Sequence, residues 1–453
     1  MRGGRGGWYV SAAGLAVVVV GFAAVALQGG RTPSAPTIRL TPIPTPERRP
    51  VLAPLSGTAP APTAAGLQRA LAAVLRDPAL GSQLAVSVVD AATGAPLLES
   101  RAATAVVPAS TAKIITALAA LTVLPHDRRL TTRVLAGAAP GDVVLVGAGD
   151  PTLAGAYASG GYPKVARLVD LATAVRRARG AAAVTRVLVD DTLFTGPRLG
   201  PGWKPTYVTG GDVAPVSALE VDGGRASRGD HVPRVADPAL DAGRQLARLL
   251  GGRATVERGR AAVGAVQLGA VAGPTVAQLV ELALTRSDND LAEALGRQIA
   301  LANGQQASFE GETIAIRAAL AKLQVPSAGV RLVDASGLCP QDRIAPAALA
   351  RLLAKVSTDL RYGALRSGLP VAGFDGTLAK RFRRGPAAAA AGDVRAKTGT
   401  LDGVSALAGL IRTREGRLLA FDLAAVGVPF ASTLQSQAAL DRVAAVLASC
   451  GCR

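Results

Sequence analysis

The stretch VPASTAKIITALAAL, residues 107 to 121, sets one serine and one lysine three residues apart at the mouth of an otherwise apolar run. Ile114, Ala117, Leu118 and Leu121 recur at helical spacing and the other faces are apolar too, so the segment reads as a helix from about Ser110 to Leu124, buried all round and ended by Pro125. On that helix Ser110 and Lys113 share one face about a turn apart. Ser110 sits at the positive end of the macrodipole, which favours developing negative charge. A serine so placed can be a nucleophile with lysine as its base. The difficulty is protonation: a free lysine titrates near about 10.4, whereas a base working near neutrality needs about 7 to 8. Burial in the apolar wall supplies part of the shift and a second cation would supply more. Arginine could not replace this lysine, because it does not deprotonate in proteins. Read in isolation, the pair is also ordinary N-cap chemistry, but SxxK occurs once in the chain.

Two further segments could complete such a site. Ser287-Asp288-Asn289 falls in a short break between two helical stretches, and Asn289 is one of two asparagines in the whole sequence. Its bland reading is again an N-cap. Its chemical reading is a second hydroxyl able to relay a proton to a leaving amine, and a carboxamide that both donates to and accepts from a peptide. Lys397-Thr398-Gly399-Thr400 ends an expected strand before a turn at Asp402-Gly403. Lys397 can be the extra cation, Thr398 a donor to a substrate carboxylate, and Gly399 the room for close backbone approach. The backbone N–H groups of Ser110 and Thr400 could then form an oxyanion hole.

Around these segments the chain alternates helix and strand. A helical pattern from Ala64 leads into LAVSVVDAATGAPLLES, a hairpin turning at Thr93-Gly94. From Thr131 to about Pro274 the character changes: TTRVLAG and GDVVLVGAG flank a Pro-Gly turn, PKVARLVDLATAVRRARG reads as a helix and VTRVLVDD as a strand. Helices then return in VAQLVELAL and DLAEALGRQIA. DVRAKTGT, VSALAGLIR and LLAFDLAAVGV read as three consecutive antiparallel strands, and LQSQAALDRVAAVLA as a closing helix. The expected class is α+β: an antiparallel sheet flanked by helices, assembled from residues 64–130 and 275–453, with a mixed lobe of residues 131–274 inserted between the first and second motifs.

The chain has 453 residues, is 49% apolar and carries 50 basic against 32 acidic side chains, a net +18. Aromatics are 3% and no basic motif interleaves them, which argues against nucleic-acid binding. The two histidines, His126 and His231, form no metal-ligand or triad pattern, so neither a metal nor another cofactor is expected. Arg2 and Arg5 precede an apolar run from Trp8 to Leu27, the signature of export, with residues 1–30 serving as a cleaved signal peptide or a retained anchor. Residues 31–63 then read as a proline-rich stalk. An exported chain permits disulfides, and Cys339 with either Cys450 or Cys452 is the expected pair, beside the alternative that all three cysteines are incidental.

Taken jointly and in order, SxxK, SxN and KTG resemble the penicillin-recognising serine enzymes. Ser110 and Ser287 lie 177 residues apart, farther than in class A β-lactamases, and that gap resembles the inserted domains of the D-alanyl-D-alanine carboxypeptidase/endopeptidase family, the low-molecular-mass class C penicillin-binding proteins. GDPTL (149–153), DDTLFTGPRLGPGW (190–203), APVSALEVDGG (214–224), DASGLCPQDRIAP (334–346), LPVAGFDGTL (369–378) and AKTGTLDGVSALAG (396–409) extend the likeness over nearly all of 64–453. The resemblance implies Ser110 as acyl-ester nucleophile, Lys113 as its base, Ser287 and Asn289 in proton relay and substrate contact, and Lys397 with Thr398, Gly399 and Thr400 at the substrate's terminal carboxylate. It also implies Asp150 as a contact to the substrate stem. The implied partners are peptidoglycan stem peptides and β-lactams, with the membrane added if the N-terminal segment stays. A β-lactamase and a catalytically inactive wall-binding protein are the alternatives. Cys339 departs from the pattern, standing where a serine is more usual.

Overall fold

The computed structural model describes residues 59–155, 161–229, 231–324 and 328–452. The apolar run of residues 8–27 and nearly all of the proline-rich stretch lie outside the described residues. Among the described residues no helix is long and apolar enough to cross a membrane.

Helix α1 (Ala64–Leu71), capped by the Thr63 hydroxyl, precedes the hairpin β1 (Gln83–Asp90) and β2 (Pro96–Ser100). Asp90 organises the turn by accepting from the N–H groups of Ala92 and Thr93 and from the Thr93 hydroxyl, and Gly94 takes the left-handed conformation next to it. The quoted stretch folds as a single 3-10 turn, Ala109–Thr111, running into α2 (Ala112–Val123). The α-helix therefore starts two residues later than its apolar pattern predicts, because the Thr111 hydroxyl and N–H close back onto the Pro108 carbonyl. Residues 112–121 of α2 are all buried, as an apolar circumference requires.

A second sheet follows, built from β3 (Arg129–Ala136), β4 (Asp142–Val146), β5 (Arg186–Asp190), β6 (Thr255–Arg258) and β7 (Gln267–Thr275) in the order β6-β5-β4-β3-β7. β4, β5 and β6 run parallel, and β3 pairs antiparallel with both β4 and β7. Helices α3 (Leu168–Arg179) and α5 (Pro238–Leu249) pack on it around Leu145, Leu171, Val187 and Leu246; the short α4 (Thr206–Gly210) lies between them in sequence. Residues 163–167, expected as helix, lie outside α3, and Arg167 is extended and pairs with Ala154 as an isolated bridge.

Helices α6 (Val276–Thr285), α7 (Asn289–Ala302) and α8 (Phe309–Ala321) come next, then a minimal ladder of β8 (Val330–Arg331) with β9 (Arg343–Ile344), α9 (Pro346–Val356) and α10 (Gly363–Gly368). β10 (Val394–Leu401), β11 (Val404–Arg412) and β12 (Leu418–Val426) are the three consecutive strands the sequence predicts, and α11 (Thr433–Ser449) closes the chain. They join the first hairpin in the antiparallel order β10-β11-β12-β1-β2. The central strands β1, β11 and β12 are apolar on both faces because both are covered. One face meets α2, α6, α7 and α9 through Val89, Ala408, Leu410 and Ala420, and the other meets α1 and α11 through Val86, Val88, Phe421 and Leu423. β10 is left as an edge strand, with the start of α2 and the α6–α7 junction beside it.

Candidate active site

The three motifs converge on that edge. Ser110 lies in a turn whose preceding residue, Ala109, has φ +48°, a conformation costly for a residue with a Cβ and held only when neighbours enforce it. Two glycines press on it from opposite sides. A Cβ on Gly337 would lie 2.1 Å from the Ala109 carbonyl oxygen, and one on Gly399 would lie 2.6 Å from the Pro108 oxygen. Only strands and loops without side chains at these points can clamp the serine turn so closely.

Lys113 is 1% exposed, and its Nζ meets Ser110 Oγ at 3.0 Å, Asn289 Oδ1 at 2.6 Å and the Ser336 carbonyl at 2.6 Å. Asn289 Nδ2 donates to the Asp212 carbonyl at 2.8 Å, which fixes the amide so that Oδ1 faces the lysine. Burial lowers the Lys113 amine to about 8, against the opposing pull of Asp334, Glu293, Asp288 and Asp290. Holding it there in place of its ordinary value disfavours the charged form by roughly 3 kcal/mol.

Ser287 ends α6 in the left-handed conformation, φ +58°, and Asp288 opens α7 by accepting from the Leu291 N–H at 2.9 Å. The junction thus turns Ser287 toward β10, where Lys397 Nζ donates to its Oγ at 2.8 Å and to the Thr398 carbonyl at 2.7 Å. Lys397 is fully buried, and burial, Lys113 and Arg381 all push its amine well below the ordinary range. Carboxylates pull the Lys113 proton back, while Lys397 has the Ser287 hydroxyl and the Thr398 carbonyl as its acceptors against the burial and the neighbouring cations. Thr398 Oγ1 donates to Thr377 Oγ1 at 2.9 Å, and Gln437 Nε2 donates to Thr400 Oγ1 at 3.2 Å.

The model of the D-Ala-D-Ala carboxypeptidase 3 (S13) family matches residues 67–229 and 225–447, almost the whole described chain. The chain belongs to that family. It is 40% identical over 98% of its length, and 97% of the relative's, to a protein of Mycolicibacterium smegmatis named carboxypeptidase DacB. It is 31% identical to the D-alanyl-D-alanine carboxypeptidase of Actinomadura sp. strain R39 over 78% of this chain and 79% of that one. Among solved structures, penicillin-binding protein 4 of Haemophilus influenzae superposes with a TM-score of 0.67 at 20% identity, covering 84% of this chain and 97% of that one, which shows a shared fold.

Within this S13 chain the loop 334–342, DASGLCPQD, supports the site from beneath. Asp334 accepts from the N–H groups of Gly337 and Cys339 and from Trp203 Nε1, the last two at 2.7 Å. Asp342 accepts from the Val333 N–H at 2.6 Å, and its other oxygen is buried and faces Asp334. Burial and the neighbouring Asp334 push Asp342 up to about 10, so it keeps its proton near neutral pH. Glu293 accepts from the N–H groups of Ala335 and Ser336, fixing the Ser336 carbonyl that Lys113 uses. None of this loop's support was assigned from sequence, and neither were Thr377 and Gln437; DASGLCPQD and FDGTL were visible as segments, without roles for single residues.

One expected site residue is engaged elsewhere and one expected pairing is corrected. Asp150 is buried and, among the described residues, makes no hydrogen bond to the cluster: its Oδ1 accepts from the Thr152 N–H at 2.9 Å and from the Thr152 hydroxyl at 2.6 Å, and its Oδ2 lies where a Cβ on Gly273 would be. The GDPTL turn consumes this carboxylate in shaping itself, and burial raises it to about 6. Cys339 is unpaired and buried, and Cys450 and Cys452 are joined to each other. The Cys339 thiol packs beside Gly202 and Pro340 and accepts from the Gln341 N–H, far from titrating, with burial lifting it to about 11.

Proposed function

We propose that this chain is a serine-type D-Ala-D-Ala carboxypeptidase that cleaves the terminal peptide bond of peptidoglycan stem peptides through an acyl-enzyme on Ser110. The observation that carries the reading is the coordination of Lys113. A neutral amine has two protons and one lone pair; Asn289 Oδ1 and the Ser336 carbonyl can only accept, so they take both protons and the lone pair is left for the Ser110 hydroxyl. Ser110 Oγ attacks the carbonyl carbon of the penultimate D-alanine as its proton passes to Lys113. The N–H groups of Ser110 and Thr400 take the oxyanion, and the Lys113 proton reaches the departing D-alanine amine by way of Ser287. Water then hydrolyses the ester by the same route in reverse.

The substrate's carboxylate completes the charge pattern. Arriving at Thr398 and Lys397, it stabilises a proton on Lys397, and a charged Lys397 in turn disfavours a proton on Lys113. The substrate thereby helps to prepare its own base. Action on the wall places the enzyme outside the cytoplasmic membrane, with residues 1–30 as signal or anchor and residues 31–63 as its stalk. Residues 64–130 and 275–453 would form the catalytic body and 131–274 the inserted lobe. β-Lactams, which mimic the acyl donor, should form a lasting ester on Ser110. Intact-protein mass after incubation with a penicillin, together with release of D-alanine from a stem pentapeptide, tests the reading: no adduct on the wild type, or an adduct that survives Ser110→Ala, overturns it. Rapid loss of the adduct with penicilloate release would instead indicate a β-lactamase.

A further inference from the structure

We infer that a cleft at the foot of the second sheet is a binding site for the phosphate groups of an anionic cell-wall polymer. The cleft is about 310 Å³ and is lined by Arg129, Lys164, Arg167, Asp170 and Gln278, with Val271 as an apolar patch. None of these residues hydrogen-bonds to Ser110, Lys113, Ser287, Asn289 or Lys397, so it is a site apart from the catalytic one.

The cations are placed there by the fold. Arg129 opens β3 and donates through Nη1 to the Gly273 carbonyl on β7 at 2.7 Å, which anchors its guanidinium against the neighbouring strand. Tyr162 donates to Glu281 Oε2 of α6 at 3.0 Å, tethering the approach that carries Lys164. Arg167 is held by its bridge to Ala154, immediately before α3. Gln278 spends its carbonyl oxygen on the Thr275 N–H, leaving the amide Nε2 to donate. Arg129, Lys164 and Arg167 form no ion pair among the described residues, and Asp170 is the one acidic residue in the lining, so three positive charges face one negative. Donors reach the cleft from β3, from the segment before α3 and from α6. A phosphate's tetrahedral oxygens can take donors from several sides at once, whereas a carboxylate's two lie in one plane. The wall as the polymer's source rests on the proposed function; phosphate recognition does not. Such a site would hold the enzyme on the wall while the separate catalytic cleft samples stem peptides, raising their effective concentration.

The experiment is titration calorimetry of the full chain at low salt with poly(glycerol phosphate), with inorganic phosphate, and with polyglutamate as the carboxylate control. The expected result is binding of poly(glycerol phosphate) that weakens at least tenfold in Lys164→Glu/Arg167→Glu. A control of equal charge change elsewhere on the lobe, Arg177→Glu/Arg253→Glu, should stay within about threefold of wild type, with polyglutamate binding at least tenfold more weakly than the phosphate polymer. Inorganic phosphate should compete with the polymer. Absence of binding, equal binding of polyglutamate, preference for phosphatidylglycerol vesicles over the polymer, or equal losses in both double variants would each overturn the inference. Should the double variant unfold on thermal melting, Arg167→Gln alone serves, with a loss of about threefold expected and none overturning it. Penicillin acylation of Ser110, measured on the same samples, reports separately on the proposed function.

Discussion

An amine serving as a base must be emptied of its proton without losing its place, and the two acceptors around Lys113 do both. They hold Nζ through its remaining hydrogens while burial lowers the amine to about 8. Acylation by a β-lactam should therefore accelerate as pH rises through about 8, since the competent form is the deprotonated one, and flatten above it. Stopped-flow acylation rates across pH 6 to 10 (assay range of about four units around the shifted lysine) would show this; a flat profile would mean the lysine is not the titrating base. Lys113→Met, which keeps the volume and removes the nitrogen, should slow acylation by about 10² to 10⁴ with little change in melting temperature. At this scale the sequence was informative about side chains and silent about the main chain. Ser110, Lys113, Ser287, Asn289 and Lys397 could be named because a pattern of side chains is what a sequence writes down. The Ser336 carbonyl could not, because every residue has one and only the path of the 334–342 loop turns this one toward an amine.

Between residue and molecule stands the 334–342 loop, which meets the serine turn at Gly337. Gly337→Ala would force a Cβ against the Ala109 carbonyl and also impose φ +80° on a residue with a side chain. The expected outcome is acylation slowed at least tenfold with a loss of about 2 kcal/mol or more in urea unfolding; normal acylation would show that the turn can relax. Asp342 makes the opposite case. Its folded-state proton affinity is raised, so the unfolded chain gives up that proton near the ordinary carboxylate range while the folded one keeps it to about 10. Stability from this group is present at acid pH and is lost progressively as pH rises through that window. Asn in its place can donate to Asp334 without needing a proton, so Asp342→Asn should melt higher than wild type at pH 8 and about equally near pH 4 (the ordinary Asp range). A lower melting temperature at pH 8 would refute the raised proton affinity of Asp342. The elements themselves were legible where periodicity is strong, as in α2, β10, β11 and β12. Legibility failed for residues 163–167, whose helical pattern lies outside α3 and ends in an extended Arg167 bridged to Ala154, and for Asp150, whose motif reads the same whether its carboxylate serves a substrate or its own turn.

Over the whole molecule, both five-stranded sheets belong to one compact unit of the described residues. The stitching runs beside the candidate site and takes in one of its residues, Asn289. Asn289 donates to Asp212, the Ala214 N–H donates to Asp290 at 2.7 Å, Arg234 pairs with Asp290 at 3.4 Å, Lys204 pairs with Asp402, and Trp203 reaches Asp334. Trp203→Phe should thus act at a distance from Ser110: it keeps the edge-on contact with Phe309, deprives Asp334 of one donor, and should cost about 1 to 3 kcal/mol in urea unfolding with a parallel fall in acylation. Unchanged unfolding and acylation would mean that the second sheet is a passenger. No sequence pattern announces such contacts, because each joins single residues far apart in the chain. The two ends of the head meet as well: the Thr63 N–H donates to the Cys452 carbonyl at 2.8 Å, and a Cβ on Gly66 would touch the same residue. A head whose beginning and end are already adjacent can be sewn into a ring by a short glycine linker and cut open at an exposed turn such as Gly304, giving a rearranged chain with every catalytic contact intact.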